Sequence, residues 1–206
     1  EPADGYEAVV LPKAVTELES ILTVFGSTEN VAKCISLSVQ EGSTAFKMQN
    51  GALISADGTT LYYYIGGSDP LAWNDVTTVK QYAFFNRITE EKTLTLPKVT
   101  AIGAFAFSGC TGLKTFDFSK LTEIPNSAFF GSGLTGNIEL PQATVGDRAF
   151  MNCTGLTGVK LTAVTSLGTY VFRGCSALSK AEIAGPVKKL SDYCFDNCVE
   201  LSDVKI

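Results

Sequence analysis

The sequence predicts an α/β solenoid, a chain wound into stacked coils with parallel strands along one face and short helices or turns along the other. Three observations predict it. An aliphatic side chain opens a unit at Val79, Ile102, Ile124, Val145, Leu167 and Leu190, at spacings of 23, 22, 21, 22 and 23 residues. The sixth place of every unit is phenylalanine: Phe84, Phe107, Phe129, Phe150, Phe172 and Phe195. Each unit closes on an alternating triplet, as in Leu94-Thr95-Leu96, Phe116-Asp117-Phe118, Ile138-Glu139-Leu140 and Val159-Lys160-Leu161. A period of this length belongs to units that bury apolar surface only by stacking on their neighbours. The triplets alternate as half-buried strands do, and one strand per unit gives a parallel sheet with strands about 4.8 Å apart.

Taken in order, residues 1–40 form a degenerate cap. Val9-Val10-Leu11-Pro12 echoes Leu94-Thr95-Leu96-Pro97, and Ile35-Ser36-Leu37 is strand-like, but the middle has lost the pattern. Terminal repeats are atypical because one side faces water. Residues 43–67 break the period: Ala52 to Ser55 and Thr59 to Ile65 flank Asp57-Gly58, a hairpin signal because glycine accepts the positive φ of such turns. Gly66-Gly67 and Asp69-Pro70 end the second run. Successive residues of a strand point to opposite faces, so at least one of Tyr62, Tyr63 and Tyr64 is expected to lie outside the core. Trp73 is expected to plug the junction between hairpin and array. Six regular repeats fill residues 76–206, making residues 1–206 one solenoid. Beside each repeat Phe stands a small residue (Ala83, Ala106, Ala128, Ala149, Val171, Cys194), which suits a short helical turn packed on the next coil.

Composition narrows the chemistry. Apolar content of 45% and charge of 18% are ordinary for a globular chain, and no window is long and apolar enough to span a bilayer. The net charge of −5 argues against nucleic acid as a partner. There is no histidine, which removes His-based triads and His metal ligands. Glu1 in place of methionine reads as a processed or engineered start, with loss of an export signal left open. Cys110, Cys153, Cys175 and Cys198 share one repeat position and are expected as a buried column of free thiols. A linear ladder does not converge on a tetrahedral metal site, so neither metal nor cofactor is expected. Cys194 and Cys198 stand four apart and leave a disulfide open as the alternative.

The repeat, written I-G-x-x-A-F-x-x-C-x-x-L and stated closely by Ile102-Gly103-Ala104-Phe105-Ala106-Phe107-Ser108-Gly109-Cys110-Thr111-Gly112-Leu113, resembles the BspA-type leucine-rich repeats. The segment from Asn50 to Tyr64 resembles a hairpin insertion common in that family. The resemblance implies a right-handed leucine-rich-repeat solenoid and a secreted or surface-anchored protein of anaerobic bacteria or parasitic protozoa. It also implies adhesion to host matrix proteins or other cells. Arg87 and Ser132 depart from the pattern by replacing the repeat cysteine.

Function is then expected on the outward strand residues. Thr95, Asp117, Glu139, Lys160, Glu182 and Lys205 form one column. Thr93, Thr115, Asn137, Gly158, Lys180 and Asp203 form a second. From these, Thr95, Asp117, Glu139, Lys160, Lys180, Glu182 and Lys205 are the candidate binding residues, for a protein or glycan ligand of a non-enzymatic surface module. A structural spacer within a larger surface protein is the alternative. A remote one is glycoside hydrolysis by Asp117 and Glu139, which adjacent strands would bring within a few ångströms of each other. Tyr82, Phe105, Tyr170 and Tyr193, at the fourth place of their units, form either a sticky ridge or the covered edge of the Phe row. The final triplet, Val204-Lys205-Ile206, has no capping unit after it, so self-association or an open end is expected there.

Overall fold

Two backbone constraints per unit shape the coil. The computed structural model describes residues 8–34, 36–67, 70–142, 144–187 and 189–206; residues 1–7 of the expected cap, Ile35 and Asp69 lie outside them. In all six units the residue at the fourth place (Tyr82, Phe105, Ser127, Arg148, Tyr170, Tyr193) has φ between 54° and 60°. The eighth place (Asn86, Gly109, Gly131, Asn152, Gly174, Asn197) has φ between 55° and 72°. Two left-handed residues four apart cannot continue an α-helix, so the expected helical turn is a run of tight turns instead. Within it, alternate N–H groups bond back three residues, as from Ala83 to Lys80 (3.2 Å) and from Arg87 to Phe84 (2.9 Å). The intervening N–H groups reach the next coil, Phe84 to Ala106 at 2.8 Å and Asn86 to Ser108 at 2.9 Å. The turn face thus satisfies its backbone by stacking, as the strand face does.

The chain enters on β1 (Val9–Leu11), passes two short helices, α1 (Leu22–Phe25) and α2 (Thr28–Lys33), and returns on β2 (Leu37–Val39), parallel to β1. Gly26 ends α1 at φ 72°, and Ser27 Oγ caps α2 by accepting from the Asn30 N–H at 3.2 Å. Next come β3 (Phe46–Gln49), β4 (Ala52–Ser55) and β5 (Thr60–Tyr64), an antiparallel meander with one more strand than the sequence suggests. Its second turn has Gly58 at φ 81° and Asp57 Oδ1 accepting from the Thr59 N–H at 3.0 Å. After β6 (Leu71–Ala72) come the short opening and closing strands of the units, the second unit lacking a closing strand and the third and sixth an opening one. These are β7 (Thr78–Val79), β8 (Leu94–Thr95), β9 (Ala101–Ile102), β10 (Thr135–Leu140), β11 (Thr144–Val145), β12 (Gly155–Leu161), β13 (Ser166–Leu167), β14 (Lys180–Ile183) and β15 (Asp203–Lys205).

Two parallel ladders result, where the sequence predicts one. The opening strands extend the meander in the order β3-β4-β5-β7-β9. A bridge between Ile124 and Val145 and the β11–β13 pair carry the ladder further. The hairpin is therefore the template of the array, since β5 pairs in parallel with β7, Leu61 opposite Val79. The closing strands form β6-β8 and β10-β12-β14-β15, and the ladder is broken at Phe116-Asp117-Phe118, which belongs to no strand. Elsewhere the inward triplet residues are aliphatic or alanine. Here two rings lean on the Phe row, with Phe116 5.1 Å from Phe107 and Phe118 5.3 Å from Phe129. Beyond the break, Gly136 at φ 72° and a register shift between Gly136 and Asn137 restart the pairing.

The core falls into two clusters. The larger follows the array from Ala52 to Cys198, and a smaller one, with Ile21, Phe25, Val31 and Leu37, lies under the N-terminal elements. The meander stands between them. Leu53 and Tyr63 face the small cluster while Ile54, Leu61 and Tyr64 face the large one. Tyr63 and Tyr64 are accordingly both buried on opposite faces, and Tyr62, beside a register shift, is the ring left half-exposed. Trp73 is buried against Tyr64 and Phe84 and donates Nε1–H to the Gln49 carbonyl at 3.1 Å. The six repeat phenylalanines stack from Phe84 to Phe195 with centroids 5.1–5.5 Å apart and planes within 13°. All six cysteines are free and buried. The repeat thiols donate to the phenylalanine carbonyl of the coil before, Cys110 to Phe84 at 3.0 Å and Cys153, Cys175 and Cys198 to Phe129, Phe150 and Phe172 at 3.1 Å.

Candidate functional site

The strand face is built by register. Consecutive closing strands place Glu139 opposite Lys160, Lys160 opposite Glu182 and Glu182 opposite Lys205, so four of the predicted residues form one column. Lys180 lies in the neighbouring column, opposite Gly158 on one side and Asp203 on the other. Charges alternate down the ladder, and Lys160 Nζ lies 3.8 Å from Glu182 Oε1 with both side chains part-exposed, a weak contact that water screens. An open groove of about 290 Å³ follows this face, lined by Asn137, Glu139, Lys160, Lys180 and Glu182 over Gly158 and Val159. Gly158 keeps the floor clear. A Cβ there would come within 2.4 Å of Asn137 Oδ1, which accepts from Thr157 Oγ1 at 3.1 Å.

The remaining two candidates stand apart. Thr95 belongs to the separate β6–β8 ladder, opposite Ala72, and Asp117 to the break. No ladder register joins Asp117 to Glu139, contrary to the expected pairing of adjacent strands; Glu139 faces Lys160 instead. Asp117 Oδ1 accepts from the Ser119 N–H at 2.9 Å, and the Ser119 hydrogen bonds hold its carboxyl below the usual aspartate range. A glycosidase acid needs the opposite shift, so Asp117 is unsuited to that role.

The turn face carries a second polar–aromatic column. Tyr82 and Phe105 stack at 5.0 Å, and Tyr82 packs against the small core cluster. Tyr170 and Tyr193 stack at 5.1 Å, with the Arg148 and Arg173 guanidiniums each 5.4 Å from the Tyr170 ring and Arg173 paired to Asp196 at 2.9 Å. Packing on the N-terminal cluster accounts for Tyr82, whereas Tyr193 stands 60% exposed.

Among the described residues no group of three or more His, Cys, Asp or Glu is placed to hold a metal ion, and no helix is long and apolar enough to cross a membrane. Sequence reasoning missed Arg87 as a contact-maker. Its guanidinium donates to the Tyr63 hydroxyl (Nε, 2.8 Å) and to the Val31 and Cys34 carbonyls (Nη2, 2.8 and 2.6 Å), tying the first coil to the N-terminal elements. It missed the break at Phe116 too. Both left signals, an arginine in a cysteine row and two rings in an aliphatic one.

Coil geometry, the Phe and Cys rows and the twin ladders define a leucine-rich-repeat solenoid. The chain belongs to the BspA-type leucine-rich repeat family, whose model matches six copies over residues 77–202. Among curated proteins no sequence matches it. Its fold is shared with a leucine-rich cell surface protein of Faecalibacterium prausnitzii (23% identity, TM-score 0.64, covering 96% of this chain and 47% of that one). The leucine-rich repeat protein of T. pallidum is similar too (23%, TM-score 0.62, 81% of each chain), as is the pneumococcal vaccine antigen PcpA (20%, TM-score 0.58, 91% and 45%). The chain thus spans about half the length of two of these relatives.

Proposed function

We propose that this chain is a non-enzymatic binding or adhesion module, secreted or held at the cell surface, that attaches to a host protein or glycan through its strand face. In this reading residues 1–206 act as one solenoid, with residues 1–40 as cap, 43–67 as insertion and 76–206 as the six-repeat face. Thr95, Asp117, Glu139, Lys160, Lys180, Glu182 and Lys205 make the contact. One observation carries it: a row of charged side chains stands outside both core clusters on a hydrogen-bonded backbone. Such residues can vary without cost to the core, and a rigid scaffold limits the entropy lost on binding. The surface location is supported by the family and by structural relatives named as a surface protein and a vaccine antigen.

The test is a screen of the protein against immobilised matrix proteins and a glycan panel. It is repeated with Lys160→Ala/Lys180→Ala/Lys205→Ala and with Asp117→Asn/Glu139→Gln/Glu182→Gln. One of the two triple variants is expected to lose at least about tenfold in affinity, corresponding to roughly 1.4 kcal/mol, with an unchanged circular dichroism spectrum. Binding that ignores both variants removes the strand face. Absence of any ligand favours a spacer.

A further inference from the structure

We infer that the break in the closing ladder at Phe116-Asp117-Phe118 is the docking slot of this face, and that its occupant is an extended polypeptide segment carrying a basic residue beside an apolar one. This rests on the strand-face reading above and narrows it to a partner chemistry. β8 pairs only with β6 and β10 only with β12, so the ladder is interrupted on both sides of the break. Among the described residues the N–H groups of Phe116, Asp117 and Phe118 donate no hydrogen bond, whereas the intact ladder pairs continuously from Asn137 to Leu140 with Gly158 to Leu161. Main-chain donors left unpaired between two coils can bond the carbonyl groups of a segment laid across the face.

Grooves lie to either side of that segment. One, of about 200 Å³, runs between Leu94, Leu96 and Phe116; the other, of about 510 Å³, runs between Phe116, Ile138 and Pro141. Both have apolar floors, and Phe116 is half-buried between them. Asp117 lies on both grooves and Glu139 on the second, and neither is in an ion pair among the described residues. The groove linings carry these carboxylates and no lysine or arginine, with Lys120 held nearby on the Pro97 carbonyl, and so complement a lysine or arginine at the Asp117–Glu139 side. Repeated carbonyl acceptors along a line, with side chains alternating about it, are a property of an extended peptide. A glycan would leave the unpaired amides and apolar floors largely unmatched.

The probe is a phage-displayed library of random dodecapeptides, selected on the intact chain. Enriched peptides are synthesised and their affinity measured by calorimetry. Lys or Arg next to an aliphatic or aromatic residue should dominate the enriched set. Affinity should fall at least about tenfold in Asp117→Asn/Glu139→Gln, which loses charge-assisted contacts but keeps an acceptor for Ser119. It should fall equally in Thr95→Trp, which fills the smaller groove, while Glu200→Ala, an exposed residue outside both grooves and outside the strand-face columns, changes it less than twofold. Amide exchange at Phe116 to Phe118 should slow on adding peptide. Peptides that ignore both groove variants, or that leave those amides unprotected, overturn the inference, as does a library that enriches nothing. If peptides fail while a glycan or a folded matrix protein binds in a strand-face-dependent way, the slot is wrong and the broader reading survives. If neither class binds, both fall.

Discussion

The ninth place of the repeat sets the array, where it is cysteine in four units and Ser132 in one, apart from the junction with the N-terminal region, where it is Arg87. In the array, Cys110, Cys153, Cys175 and Cys198 each give a short thiol bond to the coil before, and Ser132 in the remaining unit lies 3.3 Å from Cys153 Sγ. In the first unit that place is Arg87, and its contacts are to Tyr63, Val31 and Cys34 of the N-terminal elements. The array is held by many equivalent contacts, so no single one specifies it. The N-terminal region is held by few and particular ones. A repetitive scaffold therefore accommodates a defect such as the break at Phe116, while its junction with the N-terminal elements is expected to depend on one guanidinium.

The largest expected effect tests the array's redundancy. Phe129 stacks on Phe107 and Phe150 at 5.2 and 5.4 Å and is fully buried. Phe129→Ala should cost about 3–5 kcal/mol in urea unfolding. Because coils support one another in sequence, the loss should uncouple the two halves of the array, giving two transitions where the parent is expected to give one. A single transition shifted as a whole would show cooperativity stronger than nearest-neighbour stacking.

Next comes the junction. Arg87→Met keeps the apolar stem and removes charge-assisted bonds to partners that stay behind, at about 2–3 kcal/mol. The loss should be local. Amide exchange should quicken across β1 to β3 while the amides of β12 to β14 keep their protection. Uniform quickening would mean that the cap and the array unfold together and that the contrast drawn between them fails.

Much of this contrast was legible in the chain, and unevenly so. The 21–23-residue spacing and the Phe row fix the coil because each repeats six times, and the alternating triplets fix which charges face out. The opening ladder escapes reading because its strands are two residues long, too short to alternate. Gln142 sits buried in a row otherwise filled by Val99, Leu121 and Val164, donating Nε2–H to the Phe118 and Leu121 carbonyls. Its place shows in the spacing but its partners do not. At the candidate site the outward columns were readable from period alone. Which charges meet was not, because the break shifts Asp117 out of the ladder that Glu139 joins.

The thiols offer a smaller test. Burial pushes Cys110, Cys153 and Cys194 up to about 12 from an ordinary 9.0 and Tyr63 up to about 12 from 10.0. A raised folded value means that stability is full below the unfolded pKa and falls as pH rises toward the folded one. The array should therefore weaken between about pH 9 and 12, and the Tyr63 junction only from about pH 10. Cys153→Ala, expected to cost about 1–2 kcal/mol at pH 7, should flatten the alkaline slope measured by urea midpoint. A slope unchanged by the substitution would place the alkaline loss elsewhere.

The smallest effect separates backbone from side chain within one coil. The fourth and eighth places share a left-handed conformation, yet the eighth holds only Asn or Gly while the fourth holds Tyr, Phe, Ser or Arg. Ser127 has φ 54° and is buried; Gly131, in the same coil, has φ 62°, and a Cβ there would meet nothing within 4 Å. Ser127→Gly relieves a strained residue and should stabilise by about 0.5–1 kcal/mol; Gly131→Ala imposes the same strain without a clash and should destabilise by a similar amount. The two shifts should cancel in the double variant, since each is a local backbone cost. Should Ser127→Gly destabilise instead, the fourth-place side chain contributes packing that outweighs its backbone cost. The large residues at Tyr82, Phe105, Tyr170 and Tyr193 would then be held there by the array itself, with no ligand needed to explain them.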